Sequence, residues 1–160
     1  MTSDDAVKSA PEPHLSPGEV ERLARRAHAL QTDKAGKPYV EHLASVAHGV
    51  ATRGGSDEQI AAAWLHDAVE DGVLSREWLA GAALPDSVKV MVLAMTKEPD
   101  ESLDDYAGRL LGVPGALLIK EADIAHNSDP DRLSVLDSVT RDRLTEKYAR
   151  MRRLLGLDEG

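Results

Sequence analysis

The chain has no cysteine. That excludes disulfides, thiolate zinc sites and a cysteine nucleophile together, leaving His, Asp, Glu, Asn and hydroxyls for metal or nucleophilic chemistry. Phenylalanine is absent too, and there are only two Trp and three Tyr, although 42% of the 160 residues are hydrophobic. A core drawn from Leu, Val, Ala, Ile and Met favours closely packed helices over a β-sandwich. Positive charge is in deficit: the formal net charge of −9 argues against broad nucleic-acid binding and against docking on anionic lipid, since both rely on basic patches. No apolar run approaches bilayer length, and the N-terminus has neither the basic start nor the apolar core of a signal peptide. The expected setting is therefore cytoplasmic, with neither nucleic acid nor membrane as partner; the oligomeric state is left open.

The length suits one domain with a real core. Residues 1–15 mix Asp, Ser, Pro, Lys and Glu without periodicity and predict a disordered tail, with the domain spanning 16–157. Ser16-Pro17-Gly18-Glu19 is a capping box that opens a helix running to about Leu30. Gln31 to Lys37 reads as a loop, and a second helix carries Tyr39, His42, Leu43, Val46, Ala47 and Val50 up to Arg53-Gly54-Gly55. Ser56-Asp57-Glu58-Gln59 caps a third helix expected to continue to Gly72. Further helical segments follow at about 75–82, 85–96, 100–111, 114–127 and 140–155, and no segment alternates like a strand. The expectation is an all-α bundle of about six to eight helices.

Chemistry concentrates in Trp64-Leu65-His66-Asp67-Ala68-Val69-Glu70-Asp71-Gly72, where three acids crowd a helix C-terminus that should repel them. A bound cation is the simplest compensation. Further ligands must come from other helices, with His42 and Asp123 as the candidates. Lys120, Asp123 and Asn127 recur at helical spacing and share a stripe, which suits a metal together with an anionic substrate. His14 lies in the tail, His28 and His48 sit on their helices without acidic partners, and all three read as structural. His126 is rotated off the stripe of Asn127 and reads as a surface residue or one behind the ligands. The basic run of the last helix, Arg141 to Arg153, reads as a solvated face.

Lys34-Ala35-Gly36-Lys37-Pro38-Tyr39-Val40-Glu41-His42 with Ser45-Val46-Ala47, then His66-Asp67-Ala68-Val69-Glu70-Asp71, then Lys120-Glu121-Ala122-Asp123-Ile124-Ala125-His126-Asn127, together resemble the HD superfamily of metal-dependent phosphohydrolases. Within it they are most similar to the hydrolase domain of RelA/SpoT enzymes and the single-domain small alarmone hydrolases. The resemblance implies that His42, His66, Asp67 and Asp123 ligate one divalent ion per chain, typically manganese. It implies that Glu70 and Asp71 act at the attacking water as orienter and general acid/base, and that Lys34, Lys120 and Asn127 contact a small phosphorylated substrate. The implied activity is cleavage of a phosphate or pyrophosphate ester of a nucleotide or related metabolite, with 3′-pyrophosphate hydrolysis of guanosine tetra- or pentaphosphate as its most specific form. The alternative is a metal-binding regulatory or binding module without efficient catalysis.

The chain departs from that pattern at three points. Asp33 stands where those enzymes carry an arginine that packs on guanine, Leu43 follows His42 where they usually have proline, and Ser128 to Leu133 is unlike the basic continuation common in them. An acid at position 33 adds repulsion toward a polyanion, so the sequence predicts weak alarmone hydrolysis, or a preference for a less charged phosphate ester, and a gain in alarmone turnover from Asp33→Arg.

Overall fold

A computed structural model describes residues 13–157. Among these residues the regular structure is entirely helical: α1 (Pro17–Ala27), α2 (Tyr39–Thr52), α3 (Asp57–Leu65), α4 (Arg76–Gly81), α5 (Asp86–Met95), α6 (Leu103–Leu111), α7 (Ala116–Asn127), α8 (Pro130–Leu133) and α9 (Ser138–Leu155). The nine helices exceed the six to eight expected because α8 was not anticipated. It is a four-residue turn capped by Asp129, whose carboxylate accepts the Asp131 N–H, and so short a helix carries no periodicity to read. The first twelve residues of the expected tail lie outside the described residues. Leu15 is ordered by packing: it is partly buried against the core and its N–H donates to Ala83 O.

Both expected capping boxes form, with Ser16 and Glu19 closing α1 and Ser56 and Gln59 closing α3. Each satisfies two otherwise orphaned N–H groups, a contribution of about 0.5–2 kcal/mol. α1 stops at Ala27 rather than near Leu30, and Leu30 is left 99% exposed.

α3 lies at the centre, packed against α1, α2, α5 and α7. Ala61, Ala62 and Ala63 are all buried on it, so the neighbouring helices approach without large side chains at these positions. Leu43, Leu65, Leu110, Ile119, Ile124 and Met151 fill the core in place of phenylalanine. One crossing decides the site geometry. At Gly49 of α2 an added Cβ would lie 3.2 Å from Ala122 Cβ of α7, so glycine lets these two helices close on each other one residue from Asp123.

Candidate metal centre

The third helix ends earlier than its pattern implied, at Leu65, and His66 to Gly72 form a coil of turns. The cause is local. His66 Nδ1 lies 2.6 Å from Ala63 O, and Ala68 N–H donates to Leu65 O, replacing the α-helical ladder with tighter bonds. The coil closes at Gly72, whose φ of 76° suits only glycine comfortably. A continuing helix would have swung His66 and Asp67 about 100° apart. The coil turns both into the same space.

Four side-chain atoms meet there. His42 Nε2 is 3.0 Å from Asp123 Oδ1 and 3.9 Å from Asp67 Oδ2. His66 Nε2 is 3.1 Å from Asp67 Oδ2 and 3.3 Å from Asp123 Oδ1. His42, His66 and Asp123 are buried and form a group able to hold a metal ion. Because Ala63 O can only accept, the His66 proton sits on Nδ1 and Nε2 presents a lone pair. That buried Nε2 has no hydrogen-bond partner, yet two carboxylate oxygens face it. Lone pairs and carboxylates gathered so closely require a positive charge at their centre, and the mixed nitrogen and oxygen donor set fits a divalent ion. In the ion's place a proton would have to serve: burial lowers the His66 pKa, but Asp67 and Asp123 drive it well above its ordinary value.

A second layer orients these groups. Asp123 receives Lys120 Nζ at 3.1 Å on Oδ2 and Asn127 Nδ2 at 3.1 Å on Oδ1. Burial would raise its carboxyl, but Lys120 and the two histidines hold it well below the usual range. The Tyr39 hydroxyl donates to Asp67 Oδ2. His42 Nδ1 lies 2.8 Å from His126 Nδ1, and Arg132 Nη1 lies 3.0 Å from that same His126 atom. Burial, His42 and Arg132 together lower the His126 pKa to about 4, so this ring is neutral and stands behind the ligands.

The donors open into a cleft of ≈ 400 Å³ that is lined by Asp67, Glu70, Asp71, Asp123 and Asn127, by Lys34, Lys97, Lys120 and Lys147, and by an apolar floor including Leu133, Leu144 and Met151. Glu70 Oε1 accepts the Lys97 N–H at 2.9 Å, and Asp71 Oδ2 accepts Gln31 Nε2 at 2.9 Å. Each carboxylate is thus fixed through one oxygen. Partial burial raises both pKa values, against the lowering effect of those hydrogen bonds.

All nine residues singled out in the sequence therefore line this cleft or, as with His42 and His66, lie directly behind it. Lys120 and Asn127 reach it already engaged with Asp123, so their first task is to hold that carboxylate; Lys34 is exposed. The inference drawn from Asp33 needs correction. Its Oδ1 accepts the N–H groups of Ala35 and Lys37 within its own loop, its Oδ2 lies 3.5 Å from Arg132 Nη2, and its side chain is only 8% exposed. Its charge is spent on the loop and on Arg132, so it adds no free repulsion toward a polyanion.

Several participants were not singled out from the sequence. His28 is buried, donates from Nδ1 to Gln31 Oε1 at 2.7 Å, and so reaches Asp71 through Gln31. The three-residue spacing of His28 and Gln31 at a helix end was the available clue. Arg132, Tyr39, Lys147 and Tyr148 become visible only once α8, α9 and the loop are placed around the cleft.

A helical domain that gathers two imidazoles and two carboxylates from α2, α7 and a helix-terminal coil is a metal-binding fold. The comparisons agree. Residues 21–100 match the model of the HD domain family, and the chain belongs to that family. It is 30% identical over 110 residues to a probable guanosine-3′,5′-bis(diphosphate) 3′-pyrophosphohydrolase of Synechocystis, covering 62% of this chain. It is 30% identical over 115 residues to a guanosine-3′,5′-bis(diphosphate) 3′-pyrophosphohydrolase of Haemophilus influenzae, covering 66% of this chain. The chain spans only 14% and 17% of those two relatives' lengths. A solved structure of a metazoan ortholog of SpoT, described as hydrolysing ppGpp, superposes with a TM-score of 0.68 at 25% identity, over 93% of this chain and 100% of that one.

Proposed function

We propose that this chain is a divalent-metal-dependent phosphohydrolase that cleaves a phosphate or pyrophosphate ester of a nucleotide, with the 3′-pyrophosphate of guanosine tetra- or pentaphosphate as its most specific substrate. The observation that carries this reading is the convergence of His42, His66, Asp67 and Asp123 in a cleft that also presents Glu70 and Asp71. The named activities of its relatives support the guanosine version. Manganese is the proposed ion, the cytoplasm the proposed location, and residues 16–157 the working unit. No helix among the described residues is long and apolar enough to cross a membrane.

His42, His66, Asp67 and Asp123 would hold the ion, which when bound supplies Lewis-acid polarisation of a phosphoryl oxygen and a lowered water pKa. Glu70, anchored through Oε1, keeps Oε2 to orient a water molecule. Asp71, anchored through Oδ2, keeps Oδ1 to take that water's proton and return one to the leaving oxygen. Their raised pKa values make them better proton acceptors than free carboxylates. The new bond joins water oxygen to phosphorus, and the phosphorus–oxygen bond to the leaving group breaks. No covalent protein intermediate is invoked, since no activated nucleophile pair lines the cleft. Lys34 and Lys147 at the cleft receive the substrate's charge.

A panel of guanosine tetraphosphate, ordinary nucleotides and sugar phosphates, assayed with manganese, tests the reading. Release of pyrophosphate from guanosine tetraphosphate, abolished by chelation, is expected. A manganese-loaded protein that releases nothing from any member would overturn it.

A further inference from the structure

A helix leaves its last carbonyls without internal partners, and whatever satisfies them fixes the direction in which the chain departs. α5 ends at Met95, with Thr96 already extended at ψ 108° and no basic residue in its own last turn. Its carbonyls are met from the next residue and from α6. The Thr96 hydroxyl donates to Val92 O at 2.8 Å, and the Tyr106 hydroxyl donates to Met95 O at 2.6 Å. Arg109 donates from Nη1 to Leu93 O at 2.9 Å and from Nη2 to Thr96 O at 2.7 Å, placing a cation at the negative end of α5.

The guanidinium is itself held. Nε and Nη2 meet the two oxygens of Glu101 at 2.8 Å each, a bidentate pair whose carboxylate side chain is 12% exposed. Glu101 Oε1 also accepts the Glu98 N–H at 3.1 Å, so the turn from Leu93 to Glu101 closes around one arginine. The decisive bond lies inside that turn. The Thr96 carbonyl and the Lys97 N–H belong to a single planar peptide unit, so what fixes its oxygen aims its hydrogen. Arg109 holds the oxygen, and the N–H donates to Glu70 Oε1 at 2.9 Å. Guanidinium and amide N–H groups only donate, and carbonyls and carboxylates accept, so every bond from Arg109 to Glu70 has one possible direction.

We infer that Arg109 is a positioning residue for Glu70: by holding the oxygen of the peptide joining Thr96 to Lys97, it aims that peptide's N–H at Glu70 Oε1 and leaves Oε2 turned to the water. This rests on the reading of Glu70 as the carboxylate that orients the water. Arg109 is not among the residues that line the cleft, and it acts only through that peptide.

The test pairs amide hydrogen exchange of the metal-free full chain with steady-state kinetics of the manganese-loaded chain on guanosine tetraphosphate. In Arg109→Met the Lys97 amide should exchange about tenfold faster or more relative to the amides of α3, which report overall stability. The kcat should fall about 10- to 100-fold with KM within about twofold, because the water is misplaced while the substrate keeps its contacts. Arg109→Lys keeps the charge but loses the fork, so it should resemble Arg109→Met in both readouts, and it decides should Arg109→Met fail to fold. Arg150→Met, which breaks the exposed pair between α9 and Asp104 of α6, should leave both readouts unchanged. A Lys97 amide that speeds up only in step with α3, as a merely structural role requires, would overturn the inference. So would an accelerated amide with wild-type kcat, or wild-type behaviour in Arg109→Lys. A wild type inactive on guanosine tetraphosphate sinks the substrate reading instead, and the Lys97 amide then decides the role of Arg109 alone.

Discussion

Two regions line the same cleft and are built by different means. The metal side is assembled from α2, α7 and the coil after α3, where His42, His66, Asp67 and Asp123 meet and every ligand is braced by a neighbour or a backbone carbonyl. The other region, the 31–37 loop with α8 and the start of α9, has few backbone ladders and is tied by one ion pair, Asp33 to Arg132, and by the isolated bridge between Thr32 and Pro38. The first region is close-packed and carries the His42, His66-Asp67 and Asp123 elements on which the family resemblance rests. The second departs from the family at Asp33 and after Asn127, and adjusts to its departures by pairing them. The candidate ligands thus sit on packed helices and the coil that ends α3, and Asp33 and Arg132 sit on loops and short turns.

Substitutions on the two sides should therefore differ in kind. The largest effect is expected from Asp67→Ala, which removes an anionic ligand and leaves a deficient donor set; metal analysis of the purified variant should find no bound ion, with no detectable phosphate release. Retained metal would mean that Asp67 is not a ligand. Next is Glu70→Gln, which preserves shape while replacing the carboxylate that orients the water with an amide. It should keep metal content and lose on the order of 10²–10⁴-fold in kcat, read from steady-state kinetics. Full activity would mean that Glu70 does not orient the water and that Asp71 serves alone.

A packing probe on the same side comes third. Gly49→Ala places a methyl group 3.2 Å from Ala122 Cβ and should force α2 and α7 apart. Thermal unfolding should show a loss of about 1–3 kcal/mol, and manganese affinity should fall with it because His42 and Asp123 ride on those two helices. On the loop side, Asp33→Arg removes the acceptor of the Ala35 and Lys37 N–H groups and sets two guanidinium groups against each other. It should lower stability by about 1–2 kcal/mol without improving alarmone turnover. Improved turnover would restore the reading taken from sequence position alone.

The smallest effect is a pH response. Arg109 donates to Leu93 O, Thr96 O and Glu101, pinning the segment that presents the Lys97 N–H to Glu70. Its hydrogen bonds hold the Glu101 carboxyl down at about 2. The folded-state pKa is depressed, so the stabilisation is complete above the unfolded carboxyl's range and is lost as pH falls through it toward about 2. Unfolding midpoints between neutral and acidic pH should fall less steeply in Glu101→Gln than in the wild type.

The metal side was legible because its residues announce themselves locally: a His-Asp doublet at a helix end, an acid in a helical stripe, and two capping boxes that fix where α1 and α3 begin. Even there the pattern misjudged the helix end, since the hydrogen bond from His66 to Ala63 O that stops α3 has no hydropathy signature. The loop side was illegible for a different reason. Asp33 and Arg132 are 99 positions apart in the chain and pair only through tertiary folding, so sequence could see the charge of Asp33 but not its neutralisation. His28 failed the same way, because its link to Asp71 passes through Gln31 across the cleft.

The central claim is that one divalent ion sits where two imidazoles and two carboxylates meet. A crystal of the manganese-soaked protein, examined for anomalous scattering, tests it most directly. The account predicts a single peak within bonding distance of His42 Nε2, His66 Nε2, Asp67 and Asp123. A peak centred instead on Glu70 and Asp71, or none at saturating manganese, would contradict it.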